Sequence, residues 1–224
     1  MSTNSIVVNT PSLISPDIPS TFRTAGTPVK LGIMASGNGS NFEAVANAIA
    51  SNQLNAQIRV LIYNNPEAKA AQRADNWNVP SVLLNHRNLH REELDQQIVQ
   101  TLRQYEVELV IMAGWMRLVT PVLIDAFPNL IINIHPSLLP SFRGVGAVEQ
   151  AINAGVKITG CTVHLVRLEV DSGPILLQAA VPVLPNDTPE TLHARIQVQE
   201  HLILPPAIAL AANCIKTHAA RRLK

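Results

Sequence analysis

The tightest constraint on this chain lies at Leu130–Pro140, where the apolar run Leu130-Ile131-Ile132 leads into Asn133-Ile134-His135 and meets Pro136. The run has the pattern of a buried strand. Side chains alternate along a strand, so Asn133 and His135 share one face, a pleat apart, and Ile134 points the other way. Pro136 cannot donate to a ladder and ends the pattern. In an open parallel sheet, ligands bind just past the C-terminal strand ends, where this polar pair is placed. A lone Asn or His at such a place is ordinarily a turn-former or a satisfied polar group. Two further features change that weighting. Asp171-Ser172-Gly173-Pro174 brings a carboxylate on a turn, and Ser36-Gly37-Asn38-Gly39-Ser40-Asn41 forms a glycine loop upstream.

The glycine loop joins the strand Leu31–Ala35 to a helix predicted from Asn41 to about Ala50. A strand, a glycine turn and a helix start make an anion-binding arrangement, because backbone N–H groups and the helix N-terminus both favour negative oxygen. An ordinary helix-capping turn has the same local pattern. A dinucleotide fingerprint is excluded: Phe42 stands where the third glycine belongs, and the second strand ends in Tyr63-Asn64-Asn65 without an acid for a ribose. No Gly-Lys-Ser/Thr sequence marks a Walker loop.

Further strands are predicted at Ile58–Tyr63, Ser81–Leu84 and Leu109–Ala113, with helices near Ala68–Trp77, Arg91–Tyr105 and Val148–Ala154. This alternation gives an α/β fold with a mostly parallel sheet. The most apolar run, Leu109–Ala113, belongs at its centre. Ile158–Val166 and Ile175–Val183 flank the Asp171 turn as a hairpin and give the sheet an antiparallel edge. His164 is taken as a packed polar partner rather than a catalyst. The last helix starts at Thr188-Pro189-Glu190 and is expected to break at Pro205-Pro206. On it, Gln197 and Glu200 stand three apart and share a face, so Glu200 can offer a carboxylate to a substrate amine.

With 224 residues, 47% hydrophobic and 15% charged, the chain suits one domain with a real core. Residues 1–28, rich in Ser, Thr, Asn and Pro, are expected to be a disordered extension before a single domain at 29–224. A formal net charge of +1 offers no strong field to recruit nucleic acid. No apolar run is long enough to span a membrane, and the N-terminus lacks a secretory pattern. Cys161 and Cys214 have neither metal-ligand nor disulfide spacing; Cys161 is read as a core filler. These features fit a cytoplasmic protein.

The motifs SGNGSN, AGWMRL, NIHPSLLPSFRG, Asp-Ser-Gly-Pro and QVQEH together resemble the glycinamide ribonucleotide formyltransferases, from about Lys30 to Ala209. The resemblance implies a Rossmann-like formyltransferase fold with helices on both faces. It implies transfer of a formyl group from 10-formyltetrahydrofolate, a co-substrate, to the amine of glycinamide ribonucleotide in purine synthesis. It makes Asn133, His135 and Asp171 catalytic and gives the substrate phosphate to Gly39, Ser40, Asn41 and Arg91. It places the substrate amine near Gln197 and Glu200, and the folate along Met116, Arg117, Leu118, Val119 and Asn133. No metal and no membrane partner are expected, and the state expected is a monomer or weak homodimer. Phe142-Arg143-Gly144 departs from this pattern and is closer to the related methionyl-tRNA formyltransferases.

The chemistry supports the same residues. An amine attacking a formyl carbon makes a negative oxygen, which an Asn amide and a His imidazole can stabilise. Asp171 can then organise proton movement by pairing with His135 or ordering a water. No nucleophilic Ser or Cys is needed, so no covalent intermediate is expected. The rivals are a formyltetrahydrofolate hydrolase, expected to carry a regulatory domain before the site, and a non-catalytic phosphate or nucleotide sensor. A methionyl-tRNA formyltransferase would need an RNA-binding domain after residue 224.

Overall fold

The apolar runs of the sequence become strands and helices in near-regular alternation. The structure, a computed structural model, describes residues 13–18, 26–87 and 89–222, with side chains described up to residue 213. In order these form β1 (Leu13–Ser15), β2 (Val29–Ala35), α1 (Ser40–Ala50), β3 (Ala56–Tyr63), α2 (Ala70–Asn76), β4 (Ser81–Leu83) and α3 (Arg91–Gln104). There follow β5 (Leu109–Met112), α4 (Pro121–Ala126), β6 (Ile131–His135), α5 (Ala147–Asn153), β7 (Ile158–Leu165), β8 (Ile175–Pro182) and α6 (Pro189–Arg222).

All eight strands join one sheet in the order β1-β8-β7-β6-β5-β2-β3-β4. The segment β6-β5-β2-β3-β4 is parallel, and β7, β8 and β1 add an antiparallel edge. Two cores lie on opposite faces. Leu31, Ile33, Ile111 and Ile132 face α1, α2, α5 and α6, whereas Met34, Val60, Val110 and Ile131 face α3 and α4. The second core contains no residue of β7 or β8. Helix cover on that face therefore stops at β6. Asn133 and His135 share the parity of Ile131 and point to the side where it stops.

Two expectations need correction. Leu13–Ser15, placed in a structureless extension, pairs antiparallel with Gln178–Ala180 of β8. Ile14 and Ile18 pack on the main core, which supplies the reason for order there. The remaining extension residues, 1–12 and 19–25, lie outside the described residues. The break at Pro205-Pro206 is also absent, since α6 runs through both prolines. Each proline withholds an N–H from the helix, at a cost of roughly 3 kcal/mol in an interior. Ile203, Leu204, Ala207 and Ile208 around them are fully buried in the main core, and that packing keeps the helix continuous. The sequence pattern also passes over α4, whose single turn and a half is capped by Thr120 accepting from the Val122 amide.

Cys161 is fully buried as core filler, and burial pushes its thiol pKa up. Beside it, Gly160 lets β7 and β8 approach closely: a Cβ there would lie 1.9 Å from the Ala179 carbonyl oxygen. Backbone cannot yield as a flexible side chain does. Gly160→Ala is expected to lower stability by about 1–3 kcal/mol, read as a shifted urea midpoint. An unchanged midpoint would show that the two strands can part without cost.

Candidate active site

Strand register builds the site. In the antiparallel β6–β7 ladder, Asn133 stands opposite His164 and His135 opposite Thr162, so two polar pairs share the face that helices leave uncovered. The turn between β7 and β8 then carries Asp171 over them. Asp171 takes a left-handed backbone, φ 50°, a conformation that Asp tolerates better than most residues. Gly173 closes the same turn against β7, where a Cβ would lie 1.7 Å from the Leu165 carbonyl oxygen.

Asp171 gathers its neighbours through both oxygens. Oδ2 accepts from the Gly144 amide at 2.9 Å and lies 3.3 Å from His135 Nδ1. Oδ1 lies 3.4 Å from His164 Nε2 and 3.5 Å from Asn133 Nδ2. Burial works to raise its pKa, but the His164 and Gly144 hydrogen bonds and the two imidazoles outweigh it. The carboxyl is held below its ordinary value.

The second nitrogen of His135, Nε2, lies 2.8 Å from the Phe142 carbonyl oxygen. Both ring nitrogens thus meet acceptors. A ring carrying two protons donates to both at once, and a neutral ring gives up one of them. His164 Nδ1 donates to the Leu165 carbonyl at 2.9 Å, and its Nε2 lies 3.4 Å from Asp171 Oδ1 and 3.2 Å from Asn133 Nδ2. His164, expected only as a packed polar partner, is in the cluster. The signal available was its parity with Thr162, but register opposite Asn133 cannot be seen in one strand alone.

A bracket of hydrogen bonds holds the loop between His135 and Phe142. Thr162 Oγ1 donates to the Ser137 carbonyl at 2.7 Å and accepts from the Leu139 amide at 3.1 Å, and Gln178 Nε2 donates to the Leu139 carbonyl at 3.0 Å. These bonds fasten the loop after His135. Sequence reasoning missed both residues: Gln178 is a single polar residue in an apolar strand, and Thr162 is one of several polar residues along β7 with nothing local to single it out.

The cluster opens into a cavity of about 540 Å3. Gly39, Ser40 and Asn41 line one end, where Gln197 Nε2 donates to Ser40 Oγ and Asn41 Nδ2 donates to Glu200 Oε2, each at 2.9 Å. Burial raises the Glu200 pKa, and the Asn41 amide and the charges of His193 and His135 offset this only in part. Met116, Arg117, Leu118 and Val119 also line the cavity, with Met116 72% and Leu118 47% exposed as apolar wall. Ser36 joins the two segments: its Oγ accepts from the Met116 amide and its own amide donates to the Gly114 carbonyl. Arg117 turns its guanidinium away to the Leu89 carbonyl at 3.1 Å. Arg91 is exposed at the start of α3 and is not brought to the cavity wall. In the Phe142-Arg143-Gly144 departure, Gly144 holds Asp171, and Arg143 pairs outside with Glu169 at 2.8 Å.

Among the described residues no group of His, Cys, Asp and Glu is arranged to hold a metal ion, and no helix is long and apolar enough to cross a membrane.

The arrangement offers an amide, imidazoles and a carboxylate around one point between an anion-suited loop and an apolar wall. Comparison with known proteins gives that chemistry its class: the formyl transferase family model matches residues 29–208, and the chain belongs to that family. A relative from Bacillus subtilis, a phosphoribosylglycinamide formyltransferase, is 42% identical over 180 residues, covering 80% of this chain and 92% of the relative. The human trifunctional purine biosynthetic protein adenosine-3 is 38% identical over 185 residues, 82% of this chain but 18% of that protein. The crystal structure of glycinamide ribonucleotide transformylase 1 from Symbiobacterium toebii superposes with a TM-score of 0.82 at 42% identity, covering 84% of this chain and 90% of that one.

The lowered Asp171 pKa has a stability consequence. Its ionised form favours the folded state above the ordinary carboxylate pKa, and that contribution is lost as pH falls through the depressed value. Asp171→Asn is therefore expected to flatten the fall of Tm between about pH 5 and about pH 3. Scanning calorimetry of both proteins checks this, and parallel curves would contradict it.

Proposed function

We propose that this chain transfers the formyl group of 10-formyltetrahydrofolate to the amine of glycinamide ribonucleotide, giving formyl-glycinamide ribonucleotide and tetrahydrofolate. The observation that carries the proposal is the Asp171 cluster, set between the glycine loop and the apolar wall of one cavity. The phosphate is assigned to Gly39, Ser40 and Asn41, where a helix start and a glycine turn suit an anion. Gln197 and Glu200 face the body of the ribonucleotide. Glu200 accepts from N–H or O–H donors there, and its raised pKa makes a donor partner favourable. The folate is assigned to Met116–Val119, whose exposed Met116 and Leu118 gain from covering an apolar ring system.

As the amine attacks, the formyl oxygen gains negative charge and the amine nitrogen becomes cationic. Asn133 Nδ2 and His135 donate toward that oxygen. For His135 to do so through Nε2, the Phe142 carbonyl gives up its 2.8 Å hydrogen bond and the reacting oxygen takes its place. Asp171 holds the other side of the ring and keeps it oriented. His164 fixes the Asn133 amide. The proton leaving the amine passes by way of the His135–Asp171 pair or a water beside it; the bond from the formyl carbon to the folate nitrogen then breaks, and that nitrogen gains a proton. No protein atom forms a bond to the formyl carbon.

His135→Ala is expected to lower turnover by about 10²–10³ with the folded state intact. The formylated ribonucleotide would be followed by mass spectrometry in the presence of both substrates. Unchanged turnover would remove His135 from the mechanism, and absence of formylated product in the parent protein would refute the assignment. The role of Arg91 rests on the family resemblance alone. If it contacts phosphate, Arg91→Ala raises the apparent constant for the ribonucleotide and spares turnover.

A further inference from the structure

Three consecutive carbonyls of the glycine loop are turned into the protein. The Gly37 oxygen accepts from the Ala70 amide at 3.1 Å, and the Gly39 oxygen accepts from the Glu43 amide at 3.1 Å. Between them, the Asn38 oxygen accepts from Arg73 Nε at 2.8 Å. In a trans peptide the C=O of one residue and the N–H of the next point in opposite directions. With all three oxygens turned toward α1 and α2, the amides of Asn38, Gly39 and Ser40 are directed the other way, to the loop face that lines the cavity.

The three peptides are not equally secured. Two are held by backbone amides, which only a substitution to proline removes. The Asn38–Gly39 peptide is held by a side chain, and Gly39, at φ 73°, tolerates conformations that would trap another residue. Release of this peptide would let it turn over and point the Asn38 oxygen at the cavity. A donor would become an acceptor, facing whatever anion the loop binds.

Arg73 is itself locked. Its Nη1 donates to Glu43 Oε2 at 2.7 Å, and Trp77 Nε1 donates to Glu43 Oε1 at 2.9 Å. The hydrogen bonds from Arg73 and Trp77 hold the Glu43 carboxyl below its ordinary pKa, so it stays charged beside the guanidinium. The Arg73 Cδ also lies 3.4 Å from where a Cβ on Gly39 would sit, and the Ala70 Cα lies 2.8 Å from that point, so α2 backs the loop closely. Because Glu43 neutralises Arg73, the arginine acts on the loop through geometry rather than as a free positive charge.

We propose that Arg73 is a positioning residue for substrate binding: by holding the Asn38 carbonyl, it keeps the Gly39 amide aimed at the ribonucleotide phosphate. The inference rests on the assignment of the phosphate to this loop. It needs the fork of a guanidinium, which bonds Asn38 and Glu43 at once, where a lysine offers one point charge to one of them.

The test is a titration of the full chain with inorganic phosphate, followed by amide nitrogen–proton NMR and paired with steady-state kinetics. In the parent protein, the Gly39 and Ser40 amides shift together on phosphate addition. In Arg73→Gln, the Gly39 response is lost, and the apparent KM for the ribonucleotide rises about 10-fold to 100-fold, the loss expected for one charged-ligand hydrogen bond. The turnover number and the KM for the folate stay within about twofold. Arg73→Lys, which keeps the ion pair with Glu43 and so guards the fold, shows the same selective rise. Trp77→Phe, which leaves the Asn38 bond alone, behaves as the parent. A Gly39 amide that responds equally in parent and Arg73 variants overturns the proposal, as does a fall in turnover equal to the change in KM. No response at Gly39 and Ser40 in the parent would instead overturn the phosphate assignment beneath it.

Discussion

The arrangement depends on one buried carboxylate. Asp171 stands at the tip of the β7–β8 turn and satisfies its charge with the Gly144 amide, His135, His164 and Asn133. A carboxylate in this position costs desolvation, and only a full set of donors offsets it. In the proposed mechanism the same donors serve the reaction. Charge satisfaction and catalytic preorganisation are therefore one set of contacts, and each partner is fixed before substrate arrives.

The sheet explains why the cluster lies where it does. One face is covered by α1, α2, α5 and α6 along its length, whereas cover by α3 and α4 ends before β7. Polar residues on that uncovered stretch have room for ligands, and the loop after β6, fastened by Thr162 and Gln178, becomes its roof. The glycine loop after β2 and the segment after β5 meet at Ser36, so two ligand-facing loops share one hinge of hydrogen bonds. Placement at the C-terminal ends of central parallel strands follows the general rule for open α/β sheets.

Much of this was legible in the sequence because it depends on local periodicity. Alternation along β6 put Asn133 and His135 on one face without knowledge of the neighbours, and spacing on α6 paired Gln197 with Glu200. What stayed hidden depends on register between distant segments. His164 looked like a strand polar residue until β7 was laid against β6, and nothing in the sequence singled out Arg73, whose bond to the Asn38 carbonyl exists only because α2 packs under the loop. Leu13–Ser15 and Pro205-Pro206 were misjudged for a related reason: local propensity argued against regular structure, and packing against the core prevailed. The Asp171 turn was visible as a turn, but its catalytic reading came from family resemblance, because nothing local distinguishes it from ordinary turn chemistry.

The central claim is that the Asp171 cluster passes a formyl group directly to the amine of a ribonucleotide whose phosphate the glycine loop holds. The most direct measurement is release of tetrahydrofolate from 10-formyltetrahydrofolate, followed by absorbance, with glycinamide ribonucleotide supplied in limiting amounts. The account predicts release that stops when the ribonucleotide is consumed, one folate for each acceptor, and none without it. Continued release in the absence of acceptor would contradict the account and make water the partner of the same cluster.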